Sequence, residues 1–254
     1  MSAQSTSFAF QACHAVTAQW EGGWSDHPAD PGGKTMYGIT EKVWLAWNKA
    51  KGILKPKPVR QITRAEAEEI YYQDYWLAAR CNTLAPGVDM FTYDSSVNSG
   101  VSRGRKWLLA SIGGTDVETI KKMAAKRTSF LRALTSFAVF GKGWINRVTD
   151  VEARSVKRSL AESKVSASTA TIALRGESEN ASAKAVAAKR NAQATAGGTF
   201  AGGGATTVSA DQADLIANWV LGGLLATGAI VLAYFIIRSV IQKSRAKSFE
   251  EQAA

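Results

Sequence analysis

The stretch Trp20–Thr40, W-E-G-G-W-S-D-H-P-A-D-P-G-G-K-T-M-Y-G-I-T, decides how the rest of the chain is interpreted. The residues before it, 8–20, carry apolar side chains at helical spacing, which predicts an amphipathic helix packed on a core. Gly22 and Gly23 end that helix, because glycines are favoured just past a helix C-terminus. Glu21 therefore lies at the end of a rigid element, with its carboxyl free to project into a cleft.

The residues around Glu21 indicate acid catalysis on a sugar. Trp20 and Trp24 flank it, and apolar surface beside a carboxyl disfavours the charged form. A protonated carboxylic acid facing a glycosidic oxygen is the general acid of glycoside hydrolysis. Asp30 lies nine positions further on and is our candidate for the second carboxylate, which holds a water or stabilises positive charge. Asp26 competes for that role, and either aspartate is equally well explained as a turn former.

The same stretch holds candidates for substrate binding. Trp24 and Tyr37 suit stacking on sugar faces, and Asp26 lies between them in the sequence. Thr35 either donates to the substrate and positions a water, or holds the loop. We expect a short extended piece at 34–39 and, after it, a helix that Thr40 caps and that carries Trp44 and Trp47. Aromatics at helical spacing are more often core than ligand platform.

Beyond this stretch the pattern is mainly α-helical with little convincing strand. A capping box at Thr63–Glu66 opens a helix, and a long helix is predicted from Asp116 to about Phe137. We expect the glycines of 141–143 to break that helix, with a last helix starting at Trp144. Seven of the eight tryptophans lie before residue 145, so we expect the globular part to end near residue 160.

Two segments of different composition follow. Residues 161–210 are rich in Ala, Ser, Thr and Gly, and such a segment buries too little apolar surface to offset its ordering entropy. We interpret it as a disordered or partly helical linker, helical at most near Asn180–Gln193. Leu215–Ile237 contains 23 residues without a charge, which is long enough to cross a bilayer as a helix.

The charges on either side of this segment predict its orientation in the membrane. Basic residues follow the predicted transmembrane helix, residues 211–240, whereas Asp211 and Asp214 lie before its apolar core. The positive-inside rule then places the tail, residues 241–254, in the cytoplasm and the globular domain outside. Small residues in the span give spacing that supports helix-mediated oligomerisation: Gly222, Gly223, Ala226 and Gly228. The N-terminus lacks the features of a cleavable secretory signal.

Composition excludes several other functions. The net charge of +10 calls for a polyanionic partner, but no nucleic-acid-binding motif accompanies it, so we expect no nucleic acid. The two histidines, His14 and His27, lack ligand spacing, and we expect no metal and no cofactor. Cys13 and Cys81 are too few for a disulfide framework, and we expect two buried thiols.

The Glu21 motif resembles the signature of glycoside hydrolase family 108, the phage-type N-acetylmuramidases with a lysozyme-like helical fold. Four further segments are similar to that family: Thr63–Ala67, Tyr75–Cys81, Tyr93–Gly100 and Phe140–Trp144. The resemblance covers about residues 5–160. It implies cleavage of the β-1,4 bond between N-acetylmuramic acid and N-acetylglucosamine in peptidoglycan, with Glu21 as the acid, and we add Asn98 as a substrate-binding candidate. The sequence departs from the family pattern at Asp26-His27, where Asn-Asp is usual.

The resulting hypothesis is a lysozyme-like muramidase domain at residues 1–160, with a catalytic lobe at about 5–85 and a second helical lobe at about 86–160. We expect it to be anchored to the bacterial inner membrane and to face the periplasm or wall, in phage or prophage lysis; storage in the cytoplasm before release is the alternative. Two other functions stay open. One is a lytic transglycosylase that uses the same acid, and the other is a non-catalytic, membrane-anchored wall-binding or holin-like protein.

Overall fold

The chain is mainly helical, as its apolar spacing and capping residues predict. The computed structural model describes residues 8–26, 33–163, 165–201 and 213–254, with side chains described except at 197–201 and 213–228. The helices and strands in those ranges are α1 (Phe8–Thr17), β1 (Thr35–Met36), β2 (Ile39–Thr40), α2 (Glu41–Ala50), α3 (Arg64–Ile70), α4 (Val88–Ser99), α5 (Val101–Leu109), α6 (Asp116–Arg132), α7 (Phe137–Glu162), α8 (Ala167–Ala201) and α9 (Ala213–Ala253). They form two compact units, Met1–Ser166 and Ala167–Ala254.

Helix α1 is anchored to the core of the first unit through Phe10. This ring is 1% exposed and packs edge-on against three aromatic rings, those of Tyr72, Trp76 and Tyr93. Cys13 and Val16 are buried on the same face, whereas Phe8 is 89% exposed. The aromatic cluster thus sets the rotation of α1, and it leaves Ala15 facing outward.

A short hairpin follows the loop after α1. Strands β1 and β2 pair antiparallel, with Thr35 opposite Thr40 and Met36 opposite Ile39. The turn between them holds Tyr37 at φ 51° and Gly38 at φ 76°, and two-residue hairpin turns of type I′ need positive φ at both positions. Thr40 then caps α2, since its Oγ1 accepts a hydrogen bond of 3.3 Å from the Val43 N–H. This cap and the extended stretch before it agree with the sequence.

Helix α3 begins at the capping box that the sequence predicts. The Thr63 hydroxyl accepts from the Glu66 N–H, and the Glu66 carboxylate accepts from the Thr63 N–H. The helix continues through a π-helical segment, Tyr71–Leu77, in which Tyr71 and Trp76 are buried. Such wide turns are frequent at functional sites, because they redirect side chains within a helix.

The predicted break at residues 141–143 is wrong. Helix α7 begins at Phe137 and runs without interruption through both glycines. A Cβ atom at Gly141 would lie 2.8 Å from the Phe137 ring, so the glycine lets that ring pack on its own helix. The helical segments instead separate at 133–136. Helix α7 therefore presents Ile145 and Val148 to the core from a single long element.

In the second unit, α8 and α9 pair as an antiparallel helical hairpin. The Ser178 hydroxyl donates to the Ala246 carbonyl at 2.9 Å, and the Ser239 hydroxyl donates to the Ala185 carbonyl at 3.1 Å. The predicted linker is thus helical over 167–201, well beyond Asn180–Gln193. Small buried residues permit the close packing, among them Ala181, Ala185 and Ala188. Each helix also contributes a large, fully buried apolar side chain, Leu174 from α8 and Phe249 from α9.

The predicted membrane span lies on α9. Its side chains up to residue 228 fall outside the described residues, and with them the small-residue face proposed for oligomerisation. Across the residues that the structure describes, no helix combines the length and the apolarity needed to cross a membrane.

Candidate active site

Glu21 lies where the chain leaves α1. A single 3-10 turn, Ala18–Trp20, extends the helix, and the backbone becomes extended at Glu21, with φ −92° and ψ 134°. The Glu21 N–H still bonds the Ala18 carbonyl, so the backbone is held while the side chain projects away from the helix axis. This is the position that the two following glycines predicted.

The carboxyl projects into a groove of about 490 Å³. One wall is α1, the other is α3 with its π-helical continuation, and the hairpin turn closes one side. The lining residues are Phe10, Gln11, His14, Ala15, Ala18, Glu21, Gly22, Gly23, Tyr37, Arg64, Ala67, Glu68 and Tyr71. The outward face of α1 thus forms the groove wall, which explains why small alanines occupy it.

One oxygen of the Glu21 carboxylate is held by an arginine from α7. The Arg147 Nη2 donates to Glu21 Oε1 at 2.9 Å and to Asp94 Oδ1 at 2.8 Å. Asp94 also accepts from Arg127 at 2.6 Å, and the side chains of that pair are fully buried. Alternating charges therefore run from the core of the unit to the groove, where the Glu21 side chain remains 19% exposed.

Asp94, Arg127 and Arg147 remain ionised in spite of their burial. Burial alone would raise the pKa of the Asp94 carboxyl, but Arg127 and Arg147 outweigh it and hold that pKa below its ordinary value. Burial lowers the pKa of Arg127, whereas Asp94 and Glu21 together overcome burial and raise the pKa of Arg147. Because an arginine pKa lies far above neutral pH, both guanidiniums are charged, and the network carries two positive charges around Asp94.

The other side of the Glu21 carboxylate faces the hairpin turn. The Tyr71 hydroxyl donates to the Tyr37 carbonyl at 2.9 Å, which ties the turn to α3. Burial, and after it the Glu21 charge, raise the pKa of Tyr71, so its hydroxyl stays protonated and able to donate. A Cβ atom at Gly38 would clash with the Tyr71 hydroxyl and lie 2.6 Å from Glu21 Oε2. Only glycine therefore fits at this position.

Replacing Gly38 by Ala is expected to reduce the glycan hydrolysis that the sequence resemblance implies by about 100-fold, because displacing a reacting group by about 1 Å costs that much. Gly52→Ala is the matched control: Gly52 has the same φ of 76° but nothing within 4 Å of the added carbon. Gly52→Ala therefore measures the effect of backbone strain alone on the rate and the stability. Initial rates on purified peptidoglycan, with unfolding curves for both variants, make the comparison. Equal rates for the two variants would contradict the proposed contact.

His14 lies on the α1 wall of the groove. Its Nδ1 is 2.8 Å from the Tyr93 hydroxyl, and the Phe10 ring stacks on it at 5.2 Å. Burial lowers the pKa of His14 from 6.5 to about 4. The imidazole is therefore neutral at neutral pH and presents a polar, uncharged surface to the groove.

This pKa predicts how stability depends on pH. Unfolded His14 takes up a proton near pH 6.5 and the folded side chain only near pH 4, so acidification through that window favours unfolding. The contribution is at most about 1.4 kcal/mol per pH unit. We expect His14→Gln, which cannot take up the proton, to show a shallower loss of stability. Urea unfolding between pH 7 and 4.5 measures both slopes, and parallel curves would contradict the prediction.

Comparisons with known proteins agree on a family. The sequence model of the family described as Glycosyl hydrolase 108 matches residues 14–100. The structure of Brucella abortus SagA is 32% identical to this chain, covers 59% of it, and is itself covered over 95% of its length, with a TM-score of 0.53. This chain belongs to the glycosyl hydrolase 108 family. A search of curated proteins gives no match.

The glycosyl hydrolase 108 segment contains Glu21 and Asp94 but ends before Arg147. The arginine that holds Glu21 is therefore contributed by α7, from outside the matched residues. Cys13 and Cys81 are both free and buried, as predicted. In the described residues no three His, Cys, Asp or Glu side chains come together as a metal site.

The structure places the predicted site residues of this glycosyl hydrolase 108 domain in different surroundings. Tyr37 lines the groove beside Glu21. Trp24 is outside the groove lining, with Arg60 over its ring at 5.2 Å, and Asp26 is exposed outside it as well. The Thr35 hydroxyl donates to the Gly33 carbonyl at 2.9 Å, which is the loop-holding alternative.

Of the two further candidates, the one that the structure describes lies apart from the groove. Asn98 is exposed and accepts from Arg127 at 3.1 Å, so it completes the charged network and does not line the groove. Asp30 lies outside the described residues and stays a candidate. The Trp20 indole donates to Asp150 at 3.2 Å. Trp44 is 4% exposed and belongs to the core, as expected for one of the two helically spaced tryptophans.

Sequence reasoning missed the partners of Glu21. Asp94 lies in the family-like segment Tyr93–Gly100, and Arg147 comes shortly after the segment Phe140–Trp144. The sequence predicted no role for either charge. An aspartate among small residues on a helix, Y-D-S-S, is a signal for a buried carboxylate that needs a partner. No feature of the sequence pairs it with Arg147, 53 residues further on.

Proposed function

We propose that this protein hydrolyses peptidoglycan at the β-1,4 bond between N-acetylmuramic acid and N-acetylglucosamine, with Glu21 as general acid. The observation that carries the proposal is the position of Glu21: it lies in a groove open to solvent, with one oxygen on Arg147. The family supports glycoside hydrolysis, and the resemblance to phage-type muramidases supports this substrate. The net charge of +10 suits an anionic wall.

In the proposed reaction, the Glu21 carboxyl donates its proton to the glycosidic oxygen as the bond from that oxygen to C1 breaks. Positive charge develops on the sugar ring, and a water adds to C1 as it passes a proton to a carboxylate base, for which Asp30 is the candidate. The carboxylate left on Glu21 is stabilised by Arg147 at 2.9 Å, which favours the state after proton transfer. Asp30 is the proposed partner for the water, and Glu68 is the second carboxylate of the groove lining.

The identity of the product tests this proposal. Purified peptidoglycan digested by the full-length protein should yield new reducing ends of N-acetylmuramic acid, detected by mass spectrometry after borohydride reduction. Reducing ends of N-acetylglucosamine would reassign the cleaved bond. The absence of any product over hours, with the protein folded, would remove the hydrolase proposal.

A lytic transglycosylase is the second candidate. It needs a single acid, and the position of Asp26 outside the groove lining favours it. In that reaction the C6 hydroxyl of the muramic acid replaces water, so the product carries a 1,6-anhydro end. The same mass spectra distinguish the two reactions, because the anhydro product is one water lighter and is not reduced by borohydride.

We further propose that Leu215–Ile237 attaches the protein to the bacterial inner membrane in phage or prophage lysis. Its support is the run of 23 uncharged residues in the sequence. The helical hairpin constrains how the protein can be oriented in the membrane. Glu177 near the start of α8 and Arg245 near the end of α9 form an ion pair of 2.9 Å. As long as the helices stay paired, the start of α8 and the C-terminal tail therefore lie on the same side of the membrane. A domain outside with the tail inside requires the helices to separate. Membrane flotation of the full-length protein, with deletion of 211–254 as comparison, tests attachment; equal distribution would contradict it.

A further inference from the structure

Arg64 is held in the groove by an aromatic ring. It is the first residue of α3, it lines the groove, and its guanidinium lies over the Tyr37 ring at 4.8 Å from the centroid. The backbone that carries this ring is held in place, because Tyr37 lies in the left-handed turn and its carbonyl accepts from Tyr71. The charge of Arg64 is therefore positioned in the groove although its side chain is exposed.

This charge is not neutralised by the described residues. Glu68 is four residues further along α3, the spacing at which helical ion pairs form, and it lines the same groove. In the ranges that the structure describes, Arg64 nevertheless forms no ion pair, and neither does Glu68. The guanidinium lies on Tyr37 instead. Its donors are thus available to an anion that enters the groove.

We propose that Arg64 determines specificity by binding a carboxylate of the muramyl residue. An arginine forms charge-assisted, two-point hydrogen bonds with a carboxylate, and a neutral glycan of N-acetylglucosamine offers no such partner. Muramic acid supplies the carboxylate in one of two ways: from its lactyl group when the peptide is absent, or from the stem peptide. The proposal rests on the proposed function and names the feature of the substrate that the groove selects.

Glu68 adds direction to this selection. Its carboxylate repels an anion placed beside it, so the bound carboxylate contacts Arg64 on the side away from Glu68. A chitin-like strand has no carboxylate and would form no ion pair with Arg64.

Binding measurements with full-length Arg64→Gln and Arg64→Lys test the proposal. The probes are peptide-free glycan strands with free lactyl carboxylates, soluble fragments that carry the stem peptide, and chito-oligosaccharides of equal length. We expect Arg64→Gln to weaken the binding of at least one acidic probe by about tenfold or more and to leave the binding of the neutral probe unchanged. Lys should restore part of the loss. The acidic probe that responds identifies the source of the carboxylate.

Arg60→Gln is the matched control, because Arg60 also lies over an aromatic ring, that of Trp24, but does not line the groove. If Arg64→Gln weakened the binding of acidic and neutral probes equally, Arg64 would only support Tyr37. If it weakened the binding of neither, Arg64 would not contact the glycan. Either result overturns the inference. Failure of the proposed function looks different. The wild type would then bind acidic probes selectively and cleave none of them.

Discussion

Glu21→Gln is expected to leave a folded protein that no longer cleaves peptidoglycan. The amide keeps the shape of the side chain but has no proton to give to the glycosidic oxygen. A positioned general acid contributes about 10²- to 10⁴-fold to the rate, so activity should fall by at least that factor. The fold should survive, because Arg147 keeps Asp94 as its charged partner at 2.8 Å.

Turbidity loss of purified peptidoglycan measures the rates, and circular dichroism with thermal unfolding checks the fold. Glu69→Gln is the matched control, since Glu69 forms an exposed ion pair with Lys51 away from the groove lining. Wild-type clearing by a folded Glu21→Gln protein would remove Glu21 from the mechanism. The second groove carboxylate, Glu68, would then be the next candidate for the acid.

Asp94→Ala is expected to lower the free energy of unfolding of the first unit by about 3–5 kcal/mol. The carboxylate is fully buried and accepts from both Arg127 and Arg147, so its removal leaves Arg127 without a counter-charge beside a second guanidinium whose remaining counter-charge is Glu21. Activity should fall as well, because Arg147 then depends on Glu21 alone for its orientation. Urea unfolding measures the loss of stability, and initial rates measure the loss of activity.

An exposed ion pair provides the comparison for this buried one. Glu69→Ala breaks the pair with Lys51, whose side chains are 41% and 51% exposed, and should cost less than about 1 kcal/mol. The dependence of stability on pH gives a second check of the role of Asp94. Since the pKa of Asp94 is depressed in the fold, its stabilisation is present above the ordinary carboxyl pKa and is lost as the pH falls through the depressed value. If Asp94→Ala costs no more than Glu69→Ala, the buried network does not support the fold.

Local signals in the sequence predicted the elements that depend on neighbouring residues. The capping box at Thr63 and the Thr40 cap are hydrogen bonds between residues three apart, so a short stretch contains all of their atoms. The same holds for Glu21 at the end of its helix. The break predicted at 141–143 failed because glycine propensity was outweighed by a packing contact, that of the Phe137 ring on Gly141.

The sequence by itself therefore determined a mainly helical glycosyl hydrolase 108 domain with an acidic side chain at the end of its first helix. The tertiary structure decided what surrounds that side chain. Arg147 is 126 residues away in the chain, and it reaches Glu21 only because α4, α6 and α7 pack around Asp94. It also decided that the alanine face of α1 borders the groove, since Phe10 must turn into an aromatic cluster formed by distant segments. Contacts of this kind depend on how whole helices pack, and no local pattern contains them.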